Sequence, residues 1–135
     1  MKKFFLFVVC FLGLFISNAQ VVLPEREQAR VIDEILEERF NNVVPALMER
    51  TSIDMWIIIS REYNEDPVLK TMLPSTWLSA RRTTMIVFYQ DTKKKSIEKM
   101  AIARYNVGES IKASWDMKKF PDQWDALVDI IVSRN

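Results

Sequence analysis

Apolar residues between positions 25 and 50 recur at steps of three and four, which is the spacing of an amphipathic helix. Pro24 and Glu25 suit the first turn of this helix, because a proline there loses no hydrogen bond. Pro45 lies inside the segment and predicts a kink or break near Asn41 and Asn42, with a second short helix ending near Arg50. The apolar stripe consists of Ala29, Ile32, Ile35, Leu36, Phe40, Val43, Val44 and Leu47.

Three further apolar segments predict β-strands. Met55–Ile59 is apolar without alternation, which is typical of a strand covered on both faces, and such a central strand requires neighbours on both edges. Thr83–Tyr89 and Ile97–Tyr105 flank the polar segment Asp91–Lys95, and this order predicts a β-hairpin with the lysines at its tip.

Two proline-led segments predict further helices. Asp66 precedes Pro67 and is suited to cap a helix over residues 67–73. Pro121 and Asp122 begin a last helix, which carries Trp124, Leu127, Val128 and Ile131 on one face. The whole pattern predicts an α/β fold, in which a mixed sheet has helices on both faces and the three visible strands belong to a larger sheet.

The first nineteen residues have the pattern of a cleavable export signal. Met1–Lys3 is positively charged, Phe4–Ile16 is an apolar run, and Ser17–Ala19 supplies small residues for cleavage after Ala19. A membrane-spanning helix needs about 20 apolar residues, so this run is too short to favour an anchor. We therefore expect a periplasmic or secreted protein that is not held in the membrane, with a single domain over residues 20–135.

The composition excludes several classes of function. The chain has no histidine, so it cannot assemble Ser-His-Asp or Cys-His nucleophiles or a histidine-bearing zinc site by itself. Two glycines are too few for a glycine-rich phosphate loop, and the net charge of +1 argues against nucleic acid as a partner. The sequence predicts no catalytic residue and no metal or other cofactor in this chain.

Two stretches carry a resemblance to a known family. Residues 54–69 read DMWIIISREYNEDPVL and residues 73–82 read LPSTWLSARR. Both resemble the amino-terminal domain of exported Xaa-Pro aminopeptidase-like metallopeptidases, of the aminopeptidase P, prolidase and creatinase superfamily. The order of helix, strand, long connection, hairpin and Trp-bearing helix also matches that creatinase-type domain.

The resemblance implies a two-part protein. Its catalytic domain would hold a dinuclear divalent metal site and would follow the domain present here, which the pattern indicates is incomplete at Asn135. The amino-terminal domain of such enzymes helps to form the oligomer and limits access to the active site. The expected partners are therefore the protein's own catalytic domain or a neighbouring subunit, and a peptide substrate meets this domain only in the full-length parent.

The connection between the first two strands holds the residues most suited to face a substrate. Arginines there could bind a carboxylate or a backbone carbonyl, aromatic rings could form stacking walls, and an amide could contribute a polar contact. A structural alternative stays open for each of them, because the rings could pack under the loop, the amide could fix a turn, and the arginines could pair with Glu62 or Glu65. The candidates are Arg61, Tyr63, Asn64, Trp77, Arg81 and Arg82.

Two other functions compete with this interpretation. The chain could be a stand-alone periplasmic interaction module without enzymatic activity, which would pair with partners through an exposed sheet edge. An enzyme that acts through the carboxylates of Glu62 and Asp66 is a weaker hypothesis, since their spacing does not require a shared site.

Overall fold

The first helical segment changes from α-helical to π-helical geometry just before Pro45, its internal proline. In the computed structural model, which describes residues 22–91 and 96–134, helix α1 spans Glu25–Glu38 and helix α2 spans Val44–Thr51. Residues Arg39–Val43 between them form a π-helical turn. Pro45 has no N–H for the carbonyl of Asn41, and the wider turn makes room for its ring. The predicted second short helix is confirmed, and in place of the predicted kink or break the segment stays helical through this π-helical turn.

Only part of the predicted apolar stripe is buried. Leu36, Phe40 and Val44 face the core together with Met48. The remaining large aliphatic side chains of the stripe lie on sides of the helix that do not face the sheet. The predicted apolar stripe is therefore wider than the face of the helix that is buried. Ile32, Ile35 and Val43 stay about half exposed.

The sheet has four strands in the order β1-β2-β3-β4. They are β1 (Met55–Arg61), β2 (Thr83–Asp91), β3 (Ser96–Ala101) and β4 (Lys112–Ala113). The first three pair antiparallel and β4 pairs parallel with β3, so the sheet is mixed, as predicted. The predicted hairpin is confirmed as β2 and β3, while residues 92–95 at its tip lie outside the described residues.

The predicted position of the first strand was wrong. Within the described residues β1 pairs only with β2 and forms one edge of the sheet. The strand with apolar neighbours on both faces is β2, in which Ile86 and Phe88 join one core cluster while Met85 and Val87 join the other. A continuous apolar run predicts burial of side chains but carries no information about which backbone edge is paired.

Helices cover both faces of the sheet, as predicted. The side with Phe88 packs against α1, the π-helical turn and α2, together with helix α3 (Pro67–Thr71). The other side packs against helix α4, which spans Gln123–Val132. Asp122 caps this helix, because its side chain accepts a hydrogen bond from the Trp124 N–H.

The predicted apolar face of α4 needs a correction. Ala126, Leu127 and Ile130 are the residues that reach the sheet. Leu127 is therefore the only predicted residue that is buried. Its three predicted companions, Trp124, Val128 and Ile131, are exposed, because the helix turns a different side toward the core.

The third strand ends at Ala101, four residues before the predicted end at Tyr105. The amide of Gln123 explains the difference, because its Nε2 donates to the carbonyl oxygens of both Thr83 and Ile102. A side chain thus occupies the place where the strand pairing would have continued. The chain bends at residues 103–105 and opens a pocket beside the start of β2.

The predicted export signal, residues 1–19, lies outside the described residues. Within residues 22–91 and 96–134, no helix has the length and apolar character needed to cross a bilayer.

Candidate functional site

The connection after β1 begins with a tight turn that holds the first three candidate residues. The Asn64 N–H donates to the Arg61 carbonyl at 3.0 Å. Because this bond belongs to the backbone, the turn-fixing role of the Asn64 side-chain amide stays a prediction. Tyr63 lies at the turn with φ of 66° and a side chain that is 93% exposed. Arg61, Tyr63 and Asn64 are all exposed, so the alternative that Tyr63 packs under the loop was wrong.

A capped helical turn follows directly. The Asp66 carboxylate accepts a hydrogen bond from the Val68 N–H at 2.6 Å, and the Ser60 hydroxyl accepts one from the Asp66 N–H at 2.9 Å. Glu62 meanwhile accepts from the Arg82 N–H at 3.3 Å. The two carboxylates of the competing enzyme hypothesis therefore each have a separate structural contact.

Trp77 combines burial with a cation contact. Its side chain is 9% exposed and belongs to the core cluster beneath α1 and α2, as the structural alternative predicted. The Arg81 guanidinium carbon lies 4.5 Å from the Trp77 ring centroid and 5.7 Å from that of Tyr105. Such cation–π contacts are worth about 0.5–2 kcal/mol each, so the two rings restrict the guanidinium to a defined position.

The backbone of Arg81 and Arg82 is fixed from two sides. The buried Thr84 hydroxyl lies 3.0 Å from the Arg81 nitrogen and 3.3 Å from its carbonyl oxygen. The carbonyl of Arg82 accepts a hydrogen bond of 2.7 Å from the Glu62 N–H, and Arg82 has φ of 53°. A left-handed arginine costs about 1–2 kcal/mol, so the surrounding contacts must stabilise this conformation.

These side chains border a pocket of about 500 Å³. Its wall includes three arginines and three aromatic rings, and within the part of the chain that the structure describes no Asp or Glu lines it. In the same part, the guanidinium groups of these arginines form no salt bridge. The lining residues are Trp77, Arg81, Arg82, Thr83, Thr84, Ala103, Arg104, Tyr105, Trp115 and Gln123.

The pocket separates the six predicted site residues into two groups. Trp77, Arg81 and Arg82 lie in its wall, whereas Arg61, Tyr63 and Asn64 form the exposed turn and do not line it. The turn is joined to the wall through Glu62 and Arg82, which bond to each other.

Sequence reasoning missed the far wall of the pocket, which Arg104, Tyr105 and Trp115 form. Arg104 lies 5.8 Å from the Trp115 ring centroid, so this wall repeats the pairing of arginine with an aromatic ring. No sequence feature indicated this wall, because the apolar pattern predicted that Arg104 and Tyr105 belong to the third strand. The bend that brings them to the pocket depends on Gln123, about twenty residues later.

The side chains that line this pocket supply groups for ligand binding. Guanidinium groups without carboxylate partners attract a carboxylate or a carbonyl oxygen, and the adjoining rings offer flat apolar surface. Within the described residues, no group of three or more Asp, Glu or Cys side chains is arranged to hold a metal ion. Comparison with protein-family models, with curated proteins and with solved structures gives no match.

Proposed function

We propose that this chain is the non-catalytic amino-terminal domain of an exported Xaa-Pro aminopeptidase-like metallopeptidase. Its role is to take part in oligomer formation and to limit the access of peptides to an active site in a separate catalytic domain. The two motif stretches at residues 54–69 and 73–82 support the family, and the mixed sheet with helices on both faces agrees with it.

The observation that carries the proposal is the position of the Arg81 guanidinium against both the Trp77 and the Tyr105 ring. Arg81 is the penultimate residue of the second motif stretch, and the pocket beside it has cationic and aromatic walls without acidic ones among the described residues. A peptide has a carboxylate and backbone carbonyls for the guanidinium, and a proline ring for the flat aromatic surface. The pocket therefore suits a peptide terminus better than a cationic ligand.

The test is a calorimetric titration of the purified chain with the tripeptide Ala-Pro-Ala, as the free acid and as the amide. We expect the acid to bind, and Arg81→Gln to weaken binding at least tenfold, because a charge-assisted hydrogen bond contributes about 1.5–3 kcal/mol. Arg26→Gln is the matched control, since it removes the same charge from an exposed position on α1 outside the pocket.

Three results would contradict the proposal. They are equal affinity for the acid and the amide, equal effects of Arg81→Gln and Arg26→Gln, and cleavage of the tripeptide by the chain alone. Trp77 is unsuitable for this test because its side chain is part of the core, so its replacement would disturb folding as well as the pocket.

A stand-alone periplasmic interaction module is the second candidate. It is favoured by the edge of β1, which no strand pairs with in residues 22–91 and 96–134, and by the exposed apolar residues Trp124, Val128 and Ile131 on α4. This candidate predicts that the pocket binds neither form of the tripeptide, so the same titration separates the two functions.

Both candidate functions require that the protein is exported. The charged start, the apolar run of residues 4–16 and the small residues before position 20 support it. Amino-terminal sequencing of the exported protein should begin at Gln20, and a product that retains Met1 would contradict cleavage after Ala19.

A further inference from the structure

The three arginines of the pocket wall are unusual in a chain with almost no net charge. The sequence has 19 Lys and Arg against 18 Asp and Glu. Arg81, Arg82 and Arg104 nevertheless border the pocket, and no Asp or Glu of the described residues does. Acidic side chains such as Glu37 and Glu109 border a different pocket, between α1 and residues 107–110. The positive charge of the wall is therefore a local feature that the composition does not explain.

Two of these arginines are held beside the space that a ligand would fill. The Arg81 guanidinium carbon lies 4.5 Å from the Trp77 ring centroid, and that of Arg104 lies 5.8 Å from the Trp115 ring centroid. Both rings also border the pocket. Arginine stays protonated in proteins, so both walls carry a permanent positive charge.

Other polar groups of the wall are already used within the protein. The Gln123 Nε2 donates to two backbone carbonyls, and the Trp115 Nε1 donates to the Phe120 carbonyl at 2.8 Å. The guanidinium groups are therefore the strongest donors that the pocket offers to a ligand. Such donors form their strongest hydrogen bonds with ionised acceptors.

We infer that the pocket is specific for peptides that end in an acidic residue. The terminal carboxylate binds Arg81, and the carboxylate of the last side chain binds Arg104. This inference rests on the proposed function, which it deepens by naming the class of peptide. A peptide with a terminal carboxylate alone would leave the second guanidinium without an anionic partner, whereas a final Asp or Glu supplies one carboxylate for each wall.

The size and the rings of the pocket agree with a short peptide. Its volume of about 500 Å³ lies within the range of roughly 300–1,000 Å³ that is typical of small-ligand sites. The rings beside the two guanidinium groups offer flat surface to the apolar part of the peptide, including a proline ring.

The test compares Ala-Pro-Glu with Ala-Pro-Gln, because these tripeptides have nearly the same shape and differ by one carboxylate. Both are titrated calorimetrically into the purified full chain, with Ala-Pro-Ala as the reference. We expect Ala-Pro-Glu to bind at least about tenfold more tightly than Ala-Pro-Gln at low salt. We also expect this ratio to fall as added NaCl screens the charges.

Three variants assign the preference to individual arginines. Arg104→Gln should bring the ratio of the two affinities to about one and should change the affinity for Ala-Pro-Ala by no more than about twofold. Arg104 is exposed, so its replacement does not disturb the core. Arg81→Gln should weaken the binding of all three peptides. Arg26→Gln is the matched control, since it removes the same charge outside the pocket and should leave the ratio unchanged.

Inorganic phosphate distinguishes a site for acidic peptides from a general anion site. Phosphate has a comparable negative charge but no apolar part that could contact the rings. We therefore expect it to bind at least about tenfold more weakly than Ala-Pro-Glu.

Three results would each overturn the inference. They are equal affinity for Ala-Pro-Glu and Ala-Pro-Gln, a preference that persists in Arg104→Gln, and phosphate binding as tight as that of Ala-Pro-Glu. If Ala-Pro-Ala binds while the Glu and Gln peptides bind equally, the inference fails and the proposed function stands. Cleavage of Ala-Pro-Ala by the chain alone, with a preference that depends on Arg104, would contradict the proposed function and support the inference.

Discussion

Two residues near the candidate site adopt a backbone conformation that non-glycine residues rarely occupy. Tyr63 has φ of 66° and follows Glu62 in sequence, while Arg82 has φ of 53° and is hydrogen-bonded to Glu62. Such strain is characteristic of functional regions, where the surrounding contacts hold it. Neither conformation could be predicted from sequence, because both residue types favour negative φ and no glycine or asparagine occupies the position.

Two replacements of Tyr63 distinguish the effect of backbone strain on stability from the effect of losing the side chain. Tyr63→Ala and Tyr63→Gly both remove an almost fully exposed ring, but only glycine adopts this φ without cost. We expect Tyr63→Gly to have a free energy of unfolding about 1 kcal/mol higher than Tyr63→Ala in urea denaturation. Equal stability of the two variants would show that the turn stores no strain.

Elements with strong local signals were predicted well. The hairpin and the start of α4 are encoded by short-range features, which are two apolar segments around a polar turn and a capping Asp122. The short strand β4 was missed, because its two residues form a strand only through β3, where the Ser114 N–H donates to the Ala101 carbonyl. The early end of β3 was missed for the same reason, since it depends on the distant Gln123.

The loop between β3 and β4 contains a close approach of Gly108 to Pro74. Gly108 has φ of 66°, and a Cβ atom built there would lie 3.0 Å from Pro74 Cγ in the second motif stretch. We expect Gly108→Ala to lower the free energy of unfolding by about 1–2 kcal/mol, because it adds both strain and a steric contact. Glu109→Ala is the control at the exposed neighbour, and equal stability of both variants would contradict this account.

At the scale of the whole molecule, the sheet separates two apolar clusters, and the pocket lies at the end of the sheet where β2 begins. The sequence predicted the layers and half of the candidate site residues in the pocket wall. The other wall and the edge position of β1 follow from the three-dimensional arrangement of the strands, which local patterns do not encode.

The most direct test of the proposed function is the intact mass of the native product, captured from a periplasmic extract with an antibody against residues 61–82. The account predicts a considerably longer chain, which contains histidine-bearing metal-site sequence and releases the residue before proline from Ala-Pro-Ala. A native product that spans only residues 20–135 and leaves the tripeptide intact would contradict it.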